Sequence, residues 1–208
     1  SLEQVIESSS NVGTMKIVQE AFGTTNNEKF YNYLKKYHLI ESLDFQLKPS
    51  RKPVFPVPSK WDGLQLLWSS VGYSTQYTPL QILAFYNAIA NNGYWIQPTI
   101  VSKATRGDEV VTDYMVSQVR DSKPLCSAET LAKLKIMLEG VVTKGTANNI
   151  KGSVYGIAGK TGTAQRTVTG AKGYRKGNYY TTFAGYFPVK NPKYTMIIAV
   201  DEPKGSAE

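Results

Sequence analysis

Close to residue 145 the apolar residues of this chain change their spacing, and that change limits the fold more than any other feature. Ahead of it they recur every three to four positions. In the stretch opened by Ser127, the residues Leu131, Leu134, Leu138 and Val141 fall on one helical face, and the run stops near Gly145. Behind it the repeat is two. VYGIAGKTGTAQ, YTTFAGYFPV and YTMIIAV are rich in Val, Ile, Tyr and Thr, residues that pack well on a pleated surface. Residues 188–193 (PVKNPK) make a tight turn, so the last two segments are expected to pair as an antiparallel hairpin.

The earlier half reads as helices. Ser8, Ser9, Ser10 and Asn11 are natural N-caps for a helix with Val12, Met15, Val18 and Phe22 at helical spacing, and Gly23 is its stop. A second helix is expected over 27–39, with Phe30, Leu34 and Tyr37 inward and Lys35 and Lys36 at its electronegative end. Pro49, Pro53, Pro56 and Pro58 then exclude helix or central strand and predict an extended connection. Thr78 caps the clearest helix, with Pro79 at its first position, Leu80, Leu83, Tyr86 and Ala90 as the buried stripe and Gly93 at the end. Segments 94–105 and 109–112 (EVVT) read as a strand and its partner. No repeat of 20–50 residues is visible. Helices followed by a C-terminal antiparallel meander make an α+β fold.

Composition removes several chemistries. With 41% hydrophobic and 19% charged residues, the 208-residue chain is an ordered globular protein with ample sequence for a core. Its longest apolar run, Met196–Val200, is far short of the ~18 residues of a bilayer span, and the start SLEQVIESSS lacks the features of a signal peptide. One cysteine and one histidine cannot build a four-ligand zinc site or a disulfide. Cys126 reads as a packing residue. His38, in a Lys- and Tyr-rich stretch without a nucleophile signature, reads as a helix-surface residue rather than a triad member. The net charge of +8 favours an anionic partner. The acid-free stretch 166–176 (RTVTGAKGYRK) reads as a solvated basic loop, and no nucleic-acid-binding module accompanies it, so no specific nucleic acid is expected.

One segment asks for a chemical explanation: Gly159-Lys160-Thr161-Gly162-Thr163-Ala164. Glycine weakens a strand, so its presence suggests close approach by another backbone or a ligand. Lys160 and Gly162 point to one face, Thr161 and Thr163 to the other. A cationic head beside a bare strand edge suits an extended peptide that ends in a carboxylate. Alone, a K-T-G tripeptide occurs by composition in roughly one chain in twenty of this length, and Ser9-Ser10-Asn11 alone is a helix cap.

Together, and in order, these segments carry more. Ser9-Ser10-Asn11-Val12-Gly13, Gly72-Tyr73, Thr78-Pro79-Leu80-Gln81, Lys160-Thr161-Gly162-Thr163-Ala164 and the paired segment 180–203 run through the whole chain. In this the chain resembles the transpeptidase domain of penicillin-binding proteins, specifically the monofunctional class B type of cell division or elongation, whose superfamily fingerprint is S-x-x-K, S-D-N and K-T-G, with Ser9-Ser10-Asn11 here as the S-x-N element. The resemblance implies a β-lactamase/transpeptidase-like fold, here incomplete. No serine in the chain has a lysine three positions on, so residues 1–208 are expected to form a partial domain without the nucleophile, inactive alone.

For the longer protein, the resemblance implies a serine-type acyltransferase that cross-links peptidoglycan stem peptides at D-Ala-D-Ala and is acylated by β-lactams. Ser9 would relay a proton to the leaving amine, Asn11 would orient the substrate amide, and Lys160 would hold Ser9 and attract the terminal carboxylate. Thr161 and Thr163 would bond that carboxylate, Gly162 would leave room for the peptide, and the Thr163 N–H would be one of two oxyanion donors. No metal or cofactor is implied. Partners would be divisome or elongation-complex membrane proteins. Localisation would be the bacterial envelope, anchored in the inner membrane with this domain on its outer face. The alternatives are a serine β-lactamase or D,D-carboxypeptidase of the same superfamily, or a non-enzymatic β-lactam sensor or scaffold.

Overall fold

A computed structural model of the chain describes residues 1–24, 27–43, 45–47, 51–116, 118–167 and 174–204. Helices α1 (Leu2–Glu7), α2 (Asn11–Phe22), α3 (Asn27–Lys36), α4 (Gln65–Ser70) and α5 (Pro79–Ala90) come first. A hairpin of β1 (Lys103–Arg106) and β2 (Glu109–Asp113) follows, then α6 (Ala128–Thr143), β3 (Ala158–Thr167), β4 (Tyr174–Phe187) and β5 (Tyr194–Asp201). The α+β order and the terminal meander are as expected. The chain sorts into two compact units, one of Ser1–Asn11 with the sequence from Ala132 onward, the other of Val12–Leu131.

The unit of Val12–Leu131 is built on Leu43, Ala88, Trp95 and Leu125, with Tyr37, Leu80 and Phe85 packed against them. Thr78 caps α5 as expected: its hydroxyl accepts from the Gln81 N–H in a capping box with Pro79 behind it. The buried face of α5 is not the expected stripe. Gln81, Ala84, Ala88 and Ile89 are buried, while Leu80, Leu83, Tyr86 and Ala90 are only partly covered. The reason is polar: Gln81 turns inward to donate to the Glu41 carbonyl at 2.7 Å, and the small alanines let neighbours approach.

Three other expectations in this unit are corrected. Residues 94–97 form only an isolated bridge, Ile96 with Arg120, because Pro98 has no N–H to continue a ladder; the strand begins at Lys103. The proline-rich connection includes one 3₁₀ turn at Pro58–Lys60, tolerated because Pro58 occupies its first position. His38 is no plain surface residue. It follows α3 with φ 56°, stacks on Trp95 with 4.0 Å between centroids, and places Nε2 3.0 Å from Asp121.

In the other unit, β3, β4 and β5 form an antiparallel sheet in that order. Its register sets Thr161 opposite Phe183 and Gly162 opposite Thr182, then Phe183 opposite Ile198. Val141, Val142 and Ala147, from α6 and the turn after it, pack with Ile6, Ile157 and Phe183. Helix α1 had no counterpart among the expected elements, although Ser1 and Gln4 make a capping box at its start. Of the expected basic loop over 166–176, residues 166–167 end β3 and 174–176 begin β4, so those parts are strand, and 168–173 lie outside the described residues.

Candidate active site

The site grows from an irregular link between two helices. After α1 ends at Glu7, Ser9 takes φ 54°, a left-handed backbone that costs a residue with a side chain free energy, before α2 begins at Asn11. The Ser9 side chain is thereby held outside the regular helices. It accepts a hydrogen bond from Lys160 Nζ at 2.7 Å, between residues 151 positions apart.

Lys160 stands on β3, at one edge of the described sheet. Strand alternation sends its Cβ away from the Thr161 side. Its long stem nevertheless brings Nζ round the edge to the Thr161 carbonyl at 3.0 Å and Thr161 Oγ1 at 3.4 Å. With Ser9 Oγ, these are three acceptors for the three donors of an ammonium, and none carries a formal negative charge. Burial pushes the Lys160 ammonium down from 10.5 to about 8. The group can therefore exchange a proton near neutral pH. Because Ser9 Oγ accepts from Nζ, its own O–H is left to point elsewhere.

A cleft of about 490 Å³ opens here. Ser9, Asn11, Thr161, Gly162 and Thr163, named from the sequence, line it together with Ser8, Thr146, Asn149, Thr181 and Thr182. Phe183, Ile198 and Val200 give it an apolar side. Lys160 is tied to this wall through Ser9 and Thr161. All six sequence-named residues are thus brought together, every one within the unit that joins Ser1–Asn11 to the chain from Ala132 onward.

The space at Gly162 has a second occupant besides any ligand. A Cβ there would lie 2.5 Å from Thr182 Oγ1 on the facing strand, so the bare position already admits a neighbour's hydroxyl. Thr146 was not foreseen, yet its Oγ1 lies 2.7 Å from Thr161 Oγ1. Nothing in its local sequence signals this, because the contact is made across the turn after α6. Among the described residues, no three His, Cys, Asp or Glu side chains gather to hold a metal ion.

Chemically, the arrangement offers a lysine with a movable proton, a serine hydroxyl bonded to it and a row of hydroxyls along a strand edge. Such a set of groups suits an anionic, extended ligand with proton transfer at one end.

Comparison with known proteins adds lineage to this geometry. Penicillin-binding protein PbpB of Mycolicibacterium smegmatis is 30% identical over 98% of this chain and 32% of its own length. The probable peptidoglycan D,D-transpeptidase FtsI of Caulobacter vibrioides is 28% identical over 99% of this chain and 33% of its own. The chain thus spans about a third of the length of these relatives. Among solved structures, penicillin-binding protein 3 of Mycobacterium tuberculosis, complexed with aztreonam, superposes with a TM-score of 0.82 at 30% identity, over 97% of this chain and 45% of that one. The family model for the penicillin binding protein transpeptidase domain matches residues 1–208 from end to end, and to that family the chain belongs.

Proposed function

We propose that the protein carrying this chain is a peptidoglycan D,D-transpeptidase, and that residues 1–208 supply part of its transpeptidase domain. The observation that carries this reading is the Lys160–Ser9 bond at the head of a hydroxyl-lined strand edge. A stem peptide ending in D-Ala-D-Ala would lie along β3, its carboxylate toward Thr161 and Thr163 and within the positive potential of Lys160. A serine acyl-enzyme would form at the penultimate D-Ala carbonyl and D-Ala would leave. The amine of a second stem would then take the acyl group. Ser9 is poised to hand a proton to the leaving amine and to be resupplied by Lys160, while Asn11 orients the substrate amide.

No serine among these 208 residues has a lysine three positions on, so in this reading the acylated serine is contributed by sequence outside them. β-Lactams would occupy the same cleft as mimics of the D-Ala-D-Ala end. The relatives named as peptidoglycan D,D-transpeptidases support a place in the bacterial envelope; an inner-membrane anchor and division or elongation proteins as partners are part of the proposal for the whole protein. Among the described residues no helix is long and apolar enough to cross a membrane, so such an anchor would lie elsewhere in the protein.

Labelling of the full-length protein by a fluorescent penicillin tests the proposal. A stable covalent adduct is expected, lost in Lys160→Ala with the fold retained, and absent from the isolated 208-residue chain. An unlabelled full-length protein refutes acyl transfer, labelling that survives Lys160→Ala refutes the role of that lysine, and an adduct hydrolysed within minutes marks a hydrolase instead.

A further inference from the structure

Thr146 has no place in the roles assigned so far, and yet it makes the shortest hydroxyl contact to Thr161. We infer that Thr146 is a positioning residue of the cleft: its hydroxyl donates to Thr161 Oγ1 and so turns the Thr161 O–H toward the carboxylate of the bound ligand. The inference rests on the acyl-transfer reading above.

Thr161 Oγ1 has one proton and two lone pairs. Lys160 Nζ, 3.4 Å away, has only protons to offer and occupies one lone pair. The 2.7 Å contact with Thr146 Oγ1 then admits two arrangements. If Thr161 donates, its only proton is used inside the protein and a lone pair is left facing the incoming anion, which repels it. If Thr146 donates, both lone pairs of Thr161 are filled and its proton is free for the cleft. Only the second makes a carboxylate receptor, and an arriving carboxylate selects it.

The frame around Thr146 is built to hold that donor still. The Thr146 N–H bonds the Glu7 carbonyl at 3.1 Å, and the next residue, the buried Ala147, bonds the Val141 carbonyl at 3.0 Å. On the other side, Gly145 bonds the Gly140 carbonyl, and a Cβ on Gly145 would overlap the Glu7 carbonyl oxygen, so only glycine lets the two segments meet. Glu7 lies two residues before Ser9. The contact that fixes Thr146 therefore also fixes the serine, and the loop of bonds from Glu7 through Thr146, Thr161 and Lys160 closes on Ser9.

The test uses Thr146→Val and Thr146→Ser in the full-length protein, with a penicillin bearing its free carboxylate. Rapid-mixing kinetics separate the dissociation constant of the first complex from the acylation step. Thr146→Val is expected to weaken the first complex by about threefold to tenfold, the loss of one neutral hydrogen bond that holds Thr161 in its receiving orientation, and to leave the acylation step within about twofold. Thr146→Ser should restore the complex. An unchanged complex, equal losses in both steps, or a serine variant as poor as the valine one each overturns the assignment. The Thr146 side chain is exposed, so both variants should keep the wild-type thermal midpoint. If wild-type protein forms no adduct at all, the acyl-transfer reading itself fails; if it is labelled and the variants are flat, only Thr146 is misassigned.

Discussion

Thr78 and Ser9 each stand just ahead of a helix, and their hydroxyls have opposite fates. Thr78 keeps an extended backbone, φ −75° and ψ 147°, and its oxygen takes up the Gln81 N–H of the first turn of α5. Ser9, two positions before α2, is left-handed at φ 54°, and its oxygen instead meets Lys160 from the far end of the sequence. The lesson is that the residue type alone does not say whether a hydroxyl supports its own helix or meets a partner far away in the sequence. Backbone conformation decides, because a hydroxyl bound to its own helix is no longer available to a neighbour.

The contrast can be broken by experiment, and the largest effect belongs to Ser9. In Ser9→Gly the acylation rate of the full-length protein should fall by about 10²–10⁴, the range of a lost proton relay. Stability should hold or rise by up to ~1 kcal/mol, since glycine accepts the left-handed backbone without strain. Penicillin kinetics and urea melts read both, and a variant that loses stability while keeping its rate would reverse the assignment. At Thr78 the opposite pattern is expected: Thr78→Ala should cost ~1 kcal/mol of stability and leave acylation by the folded protein unchanged. A rate change without a stability change there would erase the distinction.

The smallest effect is in pH. The Lys160 ammonium loses its proton at about 8 in the folded chain and at 10.5 in the unfolded one, so between those values the unfolded chain binds more protons and stability rises with pH. Above pH 10 the buried Tyr186, pushed up to about 12 chiefly by burial and secondarily by Glu139, works the other way, because its folded form retains the proton. Urea midpoints at pH 7.5 and 9.5 should therefore rise more in wild type than in Lys160→Ala. Equal slopes would show that Lys160 titrates normally.

Much of this was legible in the sequence, and the gaps have physical causes. The change of period near residue 145 marks the passage from α6 to the sheet, and Thr78-Pro79 gives α5 its start to the residue. Lys160 could be named because glycines and hydroxyls crowded on a strand are locally odd, whereas Ser9, which alone reads as a helix cap, could be named only through the family resemblance. Helix α1 carries a local signal of its own, the Ser1–Gln4 capping box. Gln81 escaped because an apolar stripe takes no account of an amide that finds a buried carbonyl on another segment. His38 with Asp121, and Thr146 with Thr161, escaped because each pair is made by tertiary approach, for which local patterning has no marker.

The bond from Lys160 to Ser9 joins positions 151 apart, and this sets a schedule for the chain as it is made. The serine is made 151 residues ahead of its partner, so the bond waits on a long-range closure rather than on local contacts. Until then local bonds alone hold the link before α2, the Ser9 N–H to the Ile6 carbonyl and the Ser10 N–H to the Val5 carbonyl, and the proposed receptor is not assembled. On the proposed reading, reactivity toward an anionic peptide end would report that segments 151 residues apart have come together.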